Sequence, residues 1–210
     1  MKTSEKVERF EQALKQQMGR YGLELSSDVL ERLSSYYELL MAWNDRLHLV
    51  APCSPEEFAR RHILESLILV PHLTHEAKVV DVGSGAGLPI LPCLIARPDL
   101  TATLIESSQR KAIFLREALN QTATADLATI IARPFEEIPA PAVDFVTCRA
   151  LDRFAQKLSG LIGWAPVNSS LLLFGGEGLI DQLQQTGVRF TKLLIPDSEK
   201  RFLLCIVKPV

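Results

Sequence analysis

Apolar residues recur every three or four positions through the first third of the chain. From Lys78 onward they gather instead into short runs separated by polar and glycine-rich breaks. Val7, Phe10, Leu14 and Met18 fall on one face of a helix that Gly22 is placed to end. Ser26 or Ser27 can cap a second helix, whose apolar face carries Leu30, Leu33, Tyr37, Leu40 and Trp43. A third begins at Ser54, with Pro55 at the first helical position and Glu57 three residues after the cap. That is the pattern of a capping box with a pre-set proline, and it predicts a helix to about His72.

The later runs predict strands at Val79–Val82, Ala102–Ile105, Ala128–Ala132, Val143–Cys148, Ser170–Phe174, Arg189–Ile195 and Phe202–Val207. Between them Leu88–Ala96, Ser108–Asn120, Asp152–Trp164 and Gly178–Gln185 read as helices. Strands alternating with helices over short connections imply a mostly parallel sheet covered on both faces. Only Pro196–Lys200 separates the last two strands, too few residues for a parallel crossover, so that pair is antiparallel. The expected fold is therefore α/β, doubly wound and seven-stranded, with an antiparallel last strand. Residues 1–75 form a helical extension and residues 76–210 one compact domain.

Composition narrows the picture slightly. The 210 residues suit one α/β domain with an extension, and no run approaches the length of a membrane-spanning helix. The first 17 residues are too polar for a secretory signal, and Cys53, Cys93, Cys148 and Cys205 are scattered with no C-x-x-C pair. These features point to free thiols in a reducing cytoplasm and to no metal. A net charge of −2 argues against a surface that grips nucleic acid all over, but allows a local basic patch.

The chemistry gathers at Asp81-Val82-Gly83-Ser84-Gly85-Ala86-Gly87, which follows an apolar strand and precedes a helix. Glycines there allow a tight turn and bring bare backbone against a ligand. Glu106 ends the next strand, about 20 residues on, where a carboxylate can accept both hydroxyls of a ribose. The turn lacks the spacing of a dinucleotide fold and the lysine of a P-loop, and Asp81 would repel a pyrophosphate. A cofactor carrying an amine and a sulfonium suits that charge, which favours S-adenosylmethionine over NAD. Further contacts are expected at the ends of later strands, from Phe135 and Glu136 and from Arg149.

Several stretches together resemble the bacterial 16S ribosomal RNA guanine-N7 methyltransferases, the glucose-inhibited division protein B family. They are Trp43-Asn44, Arg61-His62-Ile63-Leu64-Glu65-Ser66, the glycine turn with Leu88-Pro89, Glu106-Ser107, Phe135-Glu136-Glu137 and Cys148-Arg149-Ala150. The resemblance covers nearly the whole chain, and the Arg61–Ser66 stretch is its specific part. It implies a Rossmann-like class I methyltransferase acting on 16S rRNA of the small subunit or its assembly intermediate, in the cytoplasm, as a monomer. It places Gly83, Leu88, Phe135, Glu136 and Arg149 at the cofactor, beside Asp81, Ser84, Gly85, Gly87 and Glu106 already read from the turn and the acid after it. Arg61, His62 and Arg149 fall at the substrate, with Arg149 the catalytic candidate.

The family's pattern is broken on the substrate side. His48-Leu49-Val50 stands where the family has N-L-T, and Phe174-Gly175-Gly176 where it has L-K-G, so its lysine is missing at Gly175. The proline-glycine after the turn is here Pro89-Ile90. A changed RNA or small-molecule target, or a module that binds the cofactor without transfer, therefore stays open beside the leading reading. Arg60, Arg61, Arg110, Lys111, Arg116, Arg133, Arg149 and Arg153 are candidate RNA contacts. Arg110, Lys111 and Arg116 read equally as a solvated helix face, and Arg60 and Arg61 as partners of Glu56, Glu57 or Glu65.

Overall fold

The computed structural model describes residues 3–149 and 154–208. Helix α1, Thr3–Gln17, tightens into a 3-10 turn at Met18–Tyr21 and stops at Gly22, whose φ of 67° a side chain would strain. Helix α2, Ser27–Leu47, is capped by Ser26, whose Oγ accepts from the Val29 N–H. The third helical stretch starts at Ser54, whose Oγ accepts from the Glu57 N–H 3.1 Å away. Glu57 does not complete a capping box, because its carboxylate turns instead to Arg61 at 2.8 Å. This stretch is α-helical at Pro55–Phe58 (α3), widens to a π-helical turn at Ala59–Leu64, and returns to α at Glu65–Leu67 (α4).

The sheet follows in the order β3-β2-β1-β4-β5-β7-β6. Its strands are β1 Lys78–Val82, β2 Thr101–Ile105, β3 Ala128–Ile131, β4 Phe145–Arg149, β5 Ser170–Gly175, β6 Thr191–Leu194 and β7 Phe202–Val207. Strand β7 runs antiparallel to both neighbours, and the first five pair in parallel. The edge strand β6 is shorter than the apolar run suggested, and all four of its residues are exposed. Just past its end the chain turns inward at the buried Ile195, whose N–H donates to the Arg201 carbonyl at 2.9 Å.

Alternation along each strand divides the interior in two. Val79, Leu104, Leu172 and Phe174 face α1, α2, the 55–67 stretch, α5 (Ile90–Ala96) and α6 (Gln109–Gln121). Val80, Val82, Val146 and Leu173 face α7 (Phe154–Trp164) and α8 (Glu177–Thr186). The N-terminal helices thus add a second layer over α5 and α6 on one side of the sheet. Arg32 of α2 anchors this layer, donating through Nε and Nη2 to the Thr122 carbonyl past the end of α6, at 2.9 and 2.7 Å. Strand order reverses between β1 and β4, so the turn after β1 and the residues ending β4 meet at the crevice where open α/β sheets hold ligands.

Candidate active site

Three glycines shape the turn after β1. Gly83, Gly85 and Gly87 have φ of 74°, 53° and 85°, a region that other residues enter at a cost. Gly83 N–H and Ser84 N–H both donate to the Ile105 carbonyl, at 2.9 and 3.0 Å, and Gly87 N–H donates to the Ser84 carbonyl at 2.6 Å. Glu106 braces the same turn. Its Oε2 accepts from Gly85 N–H at 2.8 Å, and its Oε1 from Ser108 N–H at 2.7 Å. Two N–H bonds leave a carboxylate with about two more acceptor positions.

Above the turn lies a cavity of about 450 Å³, large enough for a cofactor-sized ligand. Gly83, Ser84, Gly85 and Ala86 form one wall; Glu106, Ser107, Ser108 and Lys111 form the side toward α6. Leu49, Val50 and Ala51 face them, and His62, Leu88 and Arg149 complete the lining. Asn44 sets the Leu49–Ala51 wall: its Nδ2 donates to the Val50 carbonyl at 3.1 Å while its Oδ1 accepts from Val50 N–H at 2.9 Å. Phe135 and Glu136 line a smaller adjoining cleft of about 90 Å³ that shares Gly83 and Ser107 with the first. Phe135 packs edge-on against Trp164, and Glu136 pairs with Lys157 at 2.7 Å.

Asp81 and Gly87, both candidates for the cofactor, do not line the cavity. Gly87 turns inward, where a Cβ would lie 3.1 Å from the Leu91 side chain. Asp81 is fully buried beneath the turn, level with Thr147 across the β1–β4 pairing. Thr147 Oγ1 donates to its Oδ1 at 2.7 Å, and Oδ2 has no hydrogen-bond partner. Burial pushes its carboxyl up to about 7, the Thr147 bond pulls it back, and the charge of Glu106 adds to the rise. A buried carboxylate left short of partners favours a positive charge nearby.

The Arg61–Ser66 stretch supplies the opposite rim. In its π-helical turn the Glu65 N–H donates to the Arg60 carbonyl, five residues back. Such turns gather at functional sites because they re-aim side chains. Glu65, only 1% exposed, points at two cations: Arg149 Nη2 lies 3.3 Å from Oε2 and Arg201 Nη2 lies 2.7 Å from Oε1. The Arg201 contact is close but poorly aligned, since neither Oε1 nor the buried Arg201 Nε has a hydrogen-bond partner. Burial raises the Glu65 carboxyl, against the pull of Arg149 and Arg201. Arg149 also donates through Nη1 to Ser66 Oγ at 3.3 Å and through Nη2 to the Arg61 carbonyl, and it lies 5.4 Å over the Phe174 ring. Among the described residues three of its five N–H groups are thus used, leaving Nε–H and one Nη1–H for a molecule in the cavity.

The remaining candidates scatter. Arg61 contributes its carbonyl to Arg149 but sends its side chain to Glu57, away from the cavity. Arg133 pairs with Glu137 at 3.4 Å, and Arg153 lies outside the described residues. At Gly175, where the family's lysine is absent, a Cβ would fall 2.4 Å from Leu179 Cδ2, so α8 fills the space that a side chain would need. Two participants are invisible in the sequence pattern, Arg201 and the fully buried Tyr36, whose hydroxyl donates to the Ala86 carbonyl at 2.6 Å.

His62 lines the cavity with a buried, unpartnered Nδ1, its ring 4.9 Å from that of Phe58. Burial first, then Arg149 and Arg61, push it down to about 3. His62 and Asp81 therefore bend stability in opposite senses. Below 3.8 Asp81 is protonated whether folded or not; as pH rises to about 7 the folded protein keeps a proton that the unfolded chain has released, and stability falls. Above 6.5 His62 is neutral in both states; as pH falls toward about 3 the unfolded chain binds a proton that the folded protein refuses, and stability falls again. The two slopes oppose each other between about pH 4 and 6.5. Asp81→Asn is expected to leave stability climbing with pH across that window, and His62→Asn to leave it falling. Urea unfolding at several pH values measures both, and slopes matching the wild type would contradict the burial argument.

Comparison with known proteins agrees with this architecture. Residues 29–200 match the family described as rRNA small subunit methyltransferase G. A ribosomal RNA small subunit methyltransferase G from Chromobacterium violaceum is 36% identical over 143 residues, covering 68% of each chain. One from Xanthomonas campestris pv. campestris is 39% identical over 154 residues, 73% of this chain and 68% of the relative. Among solved structures, a SAM dependent methyltransferase from Aquifex aeolicus superposes with a TM-score of 0.57 at 16% identity, covering 72% of this chain and 93% of the other. That likeness shows the shared fold. With a match across most of its length, the chain belongs to the rRNA small subunit methyltransferase G family.

Proposed function

We propose that this chain transfers a methyl group from S-adenosylmethionine to N7 of a guanine in the 16S rRNA of the small ribosomal subunit. The observation that carries the reading is the cavity at the reversal of strand order. It combines bare glycine backbone, a carboxylate with acceptor positions to spare and an arginine with unengaged donors. The buried Oδ2 of Asp81, short of a partner, suits a cofactor that is cationic at its amino-acid end. Relatives named as small-subunit rRNA methyltransferases support the substrate class.

In this reading Gly83, Ser84, Gly85 and Leu88 hold the cofactor in the cavity, Asp81 and Gly87 support the turn from below, and Glu106 accepts the ribose hydroxyls. Phe135 and Glu136 take the adenine in the adjoining cleft. When bound, S-adenosylmethionine supplies a methyl on a sulfonium that leaves as a neutral thioether. Guanine N7 presents an unprotonated lone pair, so the protein has no proton to remove before attack. His62, pushed down to about 3, and Glu65, held between arginines, are both unsuited to act as a base at neutral pH, and none is needed. The protein's task is alignment, which can supply several kcal/mol or more. Arg149 orients the guanine through O6 or a neighbouring phosphate; a bidentate contact to O6 and N7 would cover the reacting lone pair. Arg61 and His62 approach the substrate from the helical side.

Residues 1–75 act as an extension packed on a single methyltransferase unit, residues 76–210, and the protein works as a cytoplasmic monomer. No described helix is long and apolar enough to cross a membrane.

The test is to incubate the protein with labelled S-adenosylmethionine and either 30S particles or naked 16S rRNA, then map the modified bases. Label at a single guanine N7 is the expected result. Label at another base or on a small molecule would favour the altered target suggested by Gly175. Tight cofactor binding with no transfer would make the chain a binding module.

A further inference from the structure

The turn that walls the cavity depends on hydrogen bonds to fix its path. Three positive-φ glycines within five residues give it many alternative paths, and Gly85 and Gly87 flank a single alanine. Its first half is fastened to the sheet through Ile105 and Glu106. At the crest, Gly87 N–H is fixed by the Ser84 carbonyl at 2.6 Å. The carbonyl of that same peptide, Ala86 O, is fixed from outside the domain by the Tyr36 hydroxyl at 2.6 Å. Tyr36 has no solvent exposure, and burial raises its phenol far above the ordinary value, so the hydroxyl remains a donor at every working pH.

We propose that Tyr36 is a positioning residue of the cofactor site: by holding the Ala86 carbonyl it fixes the Ala86–Gly87 peptide plane, and with it the wall that Gly85 and Ala86 present to the ligand. The proposal rests on reading this cavity as the S-adenosylmethionine site. It also gives the helical extension a part in cofactor binding. Helix α2 carries Tyr36 under the glycine turn and, two turns later, Asn44, which clamps Val50 on the facing wall. One rigid helix, anchored by Arg32 past the end of α6, therefore sets the spacing of two opposite walls. Without the hydroxyl only the Gly87 N–H bond to Ser84 still holds that peptide plane, beside a glycine that restrains it little, and the buried carbonyl is left without its partner.

Tyr36→Phe keeps the ring and removes the bond. Its expected result is a folded protein that binds S-adenosylhomocysteine at least 10-fold more weakly by calorimetry. The KM for S-adenosylmethionine should rise in step, and kcat at saturating cofactor should stay within about twofold of wild type. A purely structural tyrosine would lower the melting temperature and leave affinity and KM unmoved in the folded protein. Placing 4-aminophenylalanine at position 36 restores a donor of similar reach; it should recover affinity, and it keeps the test open if the phenylalanine variant folds poorly. Unchanged affinity in Tyr36→Phe, or no recovery with the amino analogue, overturns the positioning role while wild-type binding leaves the cofactor reading intact. Failure of the wild-type protein itself to bind S-adenosylhomocysteine would overturn both.

Discussion

Gly85→Val is expected to abolish S-adenosylmethionine binding in a protein that still folds. The position has a φ of 53°, so any side chain there strains the backbone, at a cost of about 1–3 kcal/mol. That is a fraction of the about 5–15 kcal/mol by which such domains are stable. Within the protein the new Cβ meets only the Gly83 carbonyl, at 3.7 Å, an ordinary contact. The rest of the side chain must therefore stand in the cavity, in the volume the ligand needs. Gly87, two residues on, sets the contrast. Its φ is 85° and its Cβ would press on Leu91 and Leu115, inside the domain. One glycine leaves the cavity open and the other makes room for a packed helix. Calorimetry with S-adenosylhomocysteine should show at least a 100-fold loss for Gly85→Val, with circular dichroism unchanged. Normal affinity would remove this turn from the cofactor site.

The difference between those two glycines marks where sequence reading stops. A strand, a glycine-rich turn, a helix and a following acid form a local pattern, and the placement of Gly85 and Glu106 at one cavity could be read from their neighbours along the chain. Arg149 was legible for the same reason, because it ends a strand at the edge where such sheets bind ligands. The inward direction of Gly87 depends on Leu91 and on Leu115 of another helix, and no local pattern carries that. Asp81 was rightly placed at the strand end, yet whether it faces the cavity or the sheet depends on the register that sets it beside Thr147.

Tyr36 was missed for a more specific reason. Tyr36 lies three residues after Leu33 and four before Leu40, on the same stripe as Leu30, Tyr37 and Leu40, so periodicity marks the ring as buried but says nothing of what its hydroxyl meets. Tyr37 stacks on Phe10 at 4.4 Å, while Tyr36, about 100° further round the helix, reaches the Ala86 carbonyl of the glycine turn. The pairing of Glu65 with Arg201 joins residues 136 positions apart (201 less 65) through a strand that arrives last, and only the assembled sheet brings them together.

Arg149→Ala is expected to retain cofactor binding within a few-fold and to lose methyl transfer by at least 100-fold, about 2.7 kcal/mol of transition-state stabilisation. The side chain lines the cavity from the end of β4, and two of its N–H groups are unengaged among the described residues and free to meet a guanine or phosphate. Its other bonds fix the guanidinium plane through Ser66, Glu65 and the Arg61 carbonyl, so the donors are aimed before the substrate arrives. The same bonds complicate the variant. Breaking a buried ion pair from one side costs about 3–5 kcal/mol, and Glu65, 1% exposed, would lose one of its two cations. Arg201 stays 2.7 Å away and offsets part of that loss, so the protein should fold with a lowered melting temperature. Arg149→Lys separates the two effects. A lysine keeps a charge beside Glu65 but lacks the planar fork that reaches Ser66, Arg61 and the cavity at once. Stability should largely return and transfer should not. Single-turnover assays on 30S particles at saturating S-adenosylmethionine, with S-adenosylhomocysteine affinity measured alongside, give the comparison. Undiminished transfer in the lysine variant would assign Arg149 to holding Glu65 and the 55–67 helix in place, and would leave alignment of the guanine to His62, Lys111 or the Leu49–Ala51 wall.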